Sequence, residues 1–213
     1  MDGEAMARTV NGHTIAPGAY LPRVDLRGAD LKEARLEESF LQGADLREAE
    51  LGWAFLGGAD LQDADLTDAD LRFASLRETN MAGAVLVRAK LLGAKMQGAL
   101  LHGADFTDAD LSQADLTRAV LQKANLRGAK MDQAFLYGAK APHADFRDVS
   151  LVAANCRRAV LTGADMRGAD LCGADLQRAD LTGARLEGAL YDDDTTIDTG
   201  FNAEVSGMRR VDG

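Results

Sequence analysis

Only 5% of the 213 residues are aromatic, and the chain holds 3 prolines, 2 cysteines and 3 histidines. Each shortage excludes something. A large irregular core draws on bulky shapes, so a chain this poor in them should have a narrow, repeated interior. Cys156 and Cys172 make no disulfide framework, which points to a reduced, cytoplasmic protein. His13, His102 and His143 are too far apart for metal-ligand spacing. An excess of positive charge is also missing. The net charge is −10, whereas nucleic-acid binders are usually basic, so direct nucleic-acid binding is not expected. No long apolar run opens the chain, which argues against a signal peptide or a membrane span. There is no Gly-x-Gly-x-x-Gly run, P-loop or Gly-x-Ser-x-Gly elbow. No residue is assigned as catalytic, cofactor-binding or metal-binding, and no cofactor is implied.

What is present is a beat of five. From Ala19 to Tyr191 an apolar residue returns every fifth position, with a small residue two places before it. Of 35 such apolar positions, from Leu21 to Tyr191, leucine fills 26. Alanine fills 31 of the preceding small positions, the exceptions being Val24, Ser39, Thr79 and Val149. No residue is inserted or lost, so no internal loop is expected between 21 and 191. Below, i denotes the apolar position of each unit.

Period five is neither helical nor strand-like. On an α-helix, each five-residue step turns about 500°, so the leucines would spiral all round the surface. In one long strand an odd step alternates faces. The pattern instead requires a short extended piece, then a corner, repeated. Positions i and i−2 should point inward and the other three outward. Glycine is frequent at i+2, where a corner would need an unusual backbone angle. Trp53 and Phe73 also stand at i+2, which implies that the corners are not all of one glycine-demanding type.

The repeated Ala-Asp/Asn-Leu unit resembles the pentapeptide repeat family. It occurs at 29–31, 44–46, 59–61, 64–66, 69–71, 109–111, 114–116, 169–171, 174–176 and 179–181, with Ala124-Asn-Leu126 as the Asn form. The resemblance implies an all-β fold, a right-handed quadrilateral β-helix with four pentapeptides per coil. The 35 units would then give eight to nine coils, a rod of roughly 40 Å at the strand spacing of about 4.8 Å. Three segments are expected: residues 1–18 as an N-terminal lead-in and cap, 19–191 as the solenoid, and 192–213 as a C-terminal cap or tail. Within the first, Met1–Val10 shows no pattern and Ile15 is placed over the first core layer. In the last, Thr196 is the next inward position and Phe201–Met208 is read as a short helix with Asn202 near its cap.

Residues twenty apart should stack if four units make a coil. Three surface features follow. Asp25, Asp45, Asp65, Asp105, Asp145 and Asp165 form a column, with Arg27, Arg47, Arg127, Arg147 and Arg167 beside it as a self-compensating ladder. Charge is polarised along the chain. Residues 41–70 are acidic, through Asp45, Asp60, Asp63, Asp65, Asp68 and Asp70 among others, and residues 115–158 are predominantly basic. Finally, Trp53, Phe55 and Phe73 form an outward aromatic patch, of the kind that often marks an interface. The leading expectation is a non-catalytic scaffold or protein–protein interaction module with a protein partner, or a homodimer through a cap or the aromatic patch. The alternative comes from the resemblance, because some pentapeptide repeat proteins that act on DNA gyrase mimic duplex DNA. On that reading the six aspartates would form the mimic surface.

Overall fold

A computed structural model describes residues 7–204 and 206–211. It contains no helix among the described residues. The body is a parallel β-solenoid. Isolated parallel bridges join Tyr20 to Phe40, Asp25 to Asp45, Asp30 to Glu50 and Arg35 to Phe55, and the same +20 register continues to Asp170 and Leu190. Every twenty residues therefore contain four bridges separated by four turns. We call each such step a layer. No phase break interrupts the tract, as the unbroken beat implies.

The inward assignment holds along the chain. Leu26 to Leu176 at the apolar positions, and Ala44 to Ala174 at the small positions, are buried in one continuous cluster. The four exceptions at the small position show why alanine is preferred. Each turn closes with an N–H from the small residue to the carbonyl of the preceding i residue. With alanine that bond measures 3.0 Å at Ala44 and Ala114, but with Val24 and Thr79 it lengthens to 3.4 Å and with Val149 to 3.3 Å. β-Branched side chains go with the open turn; Ala144, whose turn runs through Ala141 and Pro142, is as long at 3.3 Å without one. Ser39 and Thr79 compensate by donating their buried hydroxyls to the carbonyls of Leu36 and Leu76, at 2.7 and 2.5 Å.

Backbone accounting explains the aspartate as well. Of the five N–H groups in a unit, those at i, i+2 and i−1 bond to neighbouring layers, as at Leu46, Glu48 and Asp45. The small residue's N–H closes the turn. The N–H at i+1 has no carbonyl within reach and is taken by the carboxylate two residues earlier. Thr67 donates to Asp65 at 3.0 Å, Gln62 to Asp60 at 3.1 Å and Arg72 to Asp70 at 3.1 Å. The Ala-Asp-Leu unit is thus a structural set: alanine to fit the corner, aspartate to satisfy the orphan donor, leucine to fill the interior.

The corners correct one expectation. Every i+2 residue of the tract has positive φ, including Trp53 at 61° and Phe73 at 60°. The corners are all of one left-handed type after all. Glycine adopts it freely; at Trp53, Phe73 and the other side chains the strain of about 1–2 kcal/mol each is held by the packing on either side.

The two ends differ from the tract. At the start, β1 (Arg8–Val10) and β2 (His13–Ile15) form an antiparallel hairpin around Asn11-Gly12. Part of the segment read as patternless is therefore strand, while residues 1–6 lie outside the described residues. Ile15 is buried against the first layer. At the other end, β3 (Leu190–Tyr191) pairs in parallel with β4 (Arg209–Arg210). Here the +20 register is left in both directions, to +21 at Asp175 and Thr196 and to +19 at Leu190 and Arg209. Thr196, not residue 195, pairs with Asp175, so Ile197 takes the inward place expected for Thr196. The extra residue is accommodated by Asp192, whose Oδ1 accepts from Gly173 and Thr195 at 2.9 Å each. The stretch expected to be helical consists of turns among its described residues, with the Ser206 N–H donating to the Asn202 carbonyl at 3.1 Å.

Candidate interaction surfaces

Trp53 and Phe73 stand at the same corner in consecutive layers. Their rings stack with centroids 4.6 Å apart and planes inclined by 21°. Corner side chains lean toward the next layer, so what stands there matters. A methyl on Gly93 would lie 2.7 Å from two Phe73 ring carbons; glycine at 93 is the seat of the ring. Phe55 begins the following side. Trp53 is 58% exposed and Phe55 46%. The stack forms a fin between two clefts. One, of about 230 Å³, lies between the fin and Phe55 and is also bordered by Glu33, Ser75 and Lys95. The other, of about 350 Å³, lies toward Lys32, Asp70 and Arg72. No described residue of the lead-in segment lines either cleft, so the hairpin does not cover these aromatics. The three residues named from the sequence are brought together and remain open to solvent.

A second exposed aromatic escaped the sequence reading. Phe135, 49% exposed, stands in the same column as Phe55, four layers on, with Tyr137 beside it. The Arg158 guanidinium lies 5.9 Å from the Tyr137 ring centroid. Phe135 lies in register with Phe55 at a multiple of twenty residues, which is the signal in the sequence that marks it. Tyr20 and Phe40 also touch, with centroids 6.0 Å apart.

The six aspartates of the acidic segment are not gathered on one strip. Asp60, Asp45 with Asp65, and Asp70 stand on three successive sides, and Asp63 and Asp68 at the corners between them. Asp45, Asp60, Asp65 and Asp70 each accept an i+1 N–H. Arg47 bridges Asp45 at 2.5 Å and Asp65 at 3.7 Å, Arg72 pairs with Asp70 and Arg88 with Asp68, both at 2.5 Å. Asp60 takes the side chains of Gln42 and Asn80. Among the described residues, Asp63 alone of the six has no polar side-chain partner.

The ladder is self-compensating, as read from the sequence. Arg27 contacts Asp25 at 2.7 Å and Asp45 at 3.5 Å. Arg147 contacts Asp145 at 2.5 Å, and Arg167 contacts Asp165 at 2.6 Å. Hydrogen bonding from Arg27 lowers the Asp25 carboxyl to a pKa of about 2. Bonding to Arg47, Arg72 and Arg147 likewise holds Asp45, Asp70 and Asp145 below the usual carboxylate range, with burial opposing. Arg127 departs from the ladder and approaches Asp148 at 3.6 Å instead. Cys156 is buried, which pushes its thiol up to about 12. No group of three His, Cys, Asp or Glu among the described residues could hold a metal ion.

The sequence profile described as pentapeptide repeats matches eight copies, over residues 25–63, 64–103, 99–136 and 154–190. The chain belongs to the pentapeptide repeat family. Among solved pentapeptide repeat structures it is similar to HetL of the cyanobacterium Nostoc sp. strain PCC 7120, described as involved in heterocyst differentiation regulation. The identity is 34% over 85% of this chain and 92% of HetL, with a TM-score of 0.50. A pentapeptide repeat protein of the Arabidopsis thaliana thylakoid lumen is 33% identical over 47% of this chain and 63% of its own, with a TM-score of 0.36. QnrB1, a plasmid-mediated fluoroquinolone resistance protein, is 18% identical in one trypsin-treated variant form, covering 84% of this chain and 92% of that one at a TM-score of 0.46. No functionally curated protein matches the sequence.

Proposed function

We propose that the chain is a non-catalytic interaction scaffold whose partner docks on Trp53, Phe55 and Phe73. The stacked Trp53–Phe73 fin, open to solvent between two clefts, carries this reading. Large aromatics in a desolvable cleft are the residues that dominate binding energy at interfaces, and nothing in the fold requires aromatic side chains at these outward positions. The scaffold itself is a four-sided, right-handed β-solenoid of eight to nine coils, with residues 1–18 and 192–213 as its caps, working in the cytoplasm. Affinity capture with the intact chain tests the reading. A partner retained by the wild type should be lost with Trp53→Ala/Phe73→Ala at unchanged melting temperature; retention by that variant would sink it.

The acidic balance supports a second reading, a DNA-mimicking modulator of DNA gyrase acting through Asp45, Asp60, Asp63, Asp65, Asp68 and Asp70. It is the weaker of the two, because four of those carboxylates already serve the backbone and three sides share the six. A supercoiling titration decides it. Inhibition or protection lost on neutralising Asp63 and Asp68, and indifferent to Trp53→Ala, would establish the mimic; no effect at large molar excess would remove it.

A further inference from the structure

One corner column carries a charge pattern with no ion pair of its own. It borders the side that bears Phe55 and Phe135, on the edge opposite the Trp53–Phe73 fin. In consecutive layers it reads Glu38, Gly58, Glu78, Gly98, Arg118, Gly138, Arg158. Read backwards, every Glu is replaced by an Arg and every Gly falls on a Gly. Among the described residues none of these four charged side chains has an ion-pair partner, although the Asp–Arg ladder elsewhere is heavily paired. All four are exposed. The glycines give them room. Glu38, Glu78 and Arg118 lean over Gly58, Gly98 and Gly138, with Cγ atoms 3.5, 3.5 and 3.8 Å from where a methyl would stand. No other corner column carries two opposite pairs in reversed order.

We propose that two copies of the chain pair side by side and antiparallel through this face, about a two-fold axis that runs along the strands in the layer of Gly98. Such an axis reverses the order of the layers and keeps the columns aligned. Glu38 of one copy then meets Arg158 of the second, and Glu78 meets Arg118, each twice by symmetry. The same operation acts on the rest of the face. Phe55 meets Phe135, the two large exposed aromatics of that column. Tyr137 falls opposite Gly57, a large side chain against none. Glu37 falls opposite Arg157. The one like-charge contact is Lys95 with its own copy, one layer from Asp115 and Ser75 of the other chain. From Glu38 to Arg158 the strip is six layers long, roughly 29 Å at about 4.8 Å per layer. It is narrow, so the dimer is a weak one, steered and held in register by charge. Phe55, Ser75 and Lys95 also border the cleft beside the fin, so this pairing excludes a partner seated on Phe55, and it rests on Glu38, Glu78, Arg118 and Arg158 rather than on the reading of Trp53 and Phe73.

The test uses charge reversal on the full chain. Glu38→Arg/Glu78→Arg makes the column wholly basic, and Arg118→Glu/Arg158→Glu makes it wholly acidic. The swaps keep a side chain at corners already held at φ 56–58°, so the backbone is not further strained. In sedimentation velocity at low salt the wild type should dimerise, with a dissociation constant at least about tenfold weaker at 0.5 M salt, where the Debye length is only a few ångströms. Each double variant alone should be monomeric, and the two mixed should form a one-to-one heterodimer. A monomeric wild type, a dimer indifferent to both reversals, or folded variants that do not associate on mixing would each overturn the proposal. A second measurement does not depend on those variants. In a Glu38→Cys/Arg158→Cys chain that also carries Cys172→Ser, because Cys172 is a partly exposed native thiol, the two introduced thiols are six layers apart and cannot bridge within one rod. Oxidation should give a covalent dimer; its absence would equally count against the pairing.

Discussion

The two ends of the rod solve the same problem differently. At the N-terminal end, Ile15 is 2% exposed and lies over the first layer, so Leu21 and Val24 keep only 8% and 6% of their surface. At the C-terminal end, Ala179, Leu181 and Ala184 are only partly buried. A cavity of about 410 Å³ opens there, bordered by Leu176, Leu181, Ile197 and Phe201. The first cap is a hairpin that adds one apolar plug. The second is an irregular chain that leaves the +20 register, first to +21 and then to +19, and leaves the last layer half covered. A solenoid terminates well when its cap keeps the phase of the core, and less well when it does not.

The largest way to break this comparison is a buried charge. Leu116→Asp places a carboxylate in the sealed interior and should cost more than about 4 kcal/mol, abolishing cooperative unfolding near the wild-type melting temperature. The same change at Leu181 should cost far less and stay local, because the side chain already reaches solvent. Equal losses in thermal denaturation would mean that the C-terminal end is sealed after all. Next come the plugs. Ile15→Ala should cost about 2–4 kcal/mol, and Ile197→Ala, in its looser site, clearly less; chemical denaturation of both variants measures the difference. Asp192→Ala comes third. It removes the acceptor that pins the register slip to Gly173 and Thr195 and should loosen the C-terminal cap. Hydrogen exchange should quicken over 190–211 with little change near Ile15.

The smallest effect is acidic. Asp25 near one end and Asp192 near the other are both held below the usual carboxylate range, Asp25 chiefly by Arg27 and Asp192 chiefly by the Gly173 N–H. A depressed folded-state pKa contributes stability that is present above the unfolded value near 4 and is lost as pH falls through the folded one. The melting temperature should therefore hold down to about pH 4 and then decline toward the Asp25 value of about 2. Because Asp25 is screened by solvent, Asp25→Asn should change that decline only slightly. A decline beginning well above pH 4 would point to other groups.

The rod was legible in the sequence because one constraint recurs. Leucine and alanine at fixed spacing leave a single inside, and the unbroken beat leaves no room for a loop. What could not be read were the places where one residue decides. Thr196 and Ile197 differ by a single step, and only the Asp192 turn shows which of them faces inward. The corners misled for a related reason. Trp53 and Phe73 argue against left-handed backbone when taken singly, but the twenty-residue ladder on either side forces every corner into one conformation. The aromatic patch was visible because its members lie in adjacent layers, whereas Phe135 stands four layers from Phe55 with no aromatic between them in the column. The role of aspartate was hidden because an i+1 N–H without a carbonyl partner is a fact of the backbone, not of composition.

The fixed +20 register has one more consequence. Adding or removing twenty residues would lengthen or shorten the rod and return every column to its place. Adding five would leave the interior equally content, yet every residue beyond the insertion would move a quarter of the way round. The acidic and basic halves would then look in different directions while each kept its own chemistry. Length and azimuth are thus separate dials, set by how many units stand between two surfaces rather than by what those surfaces contain.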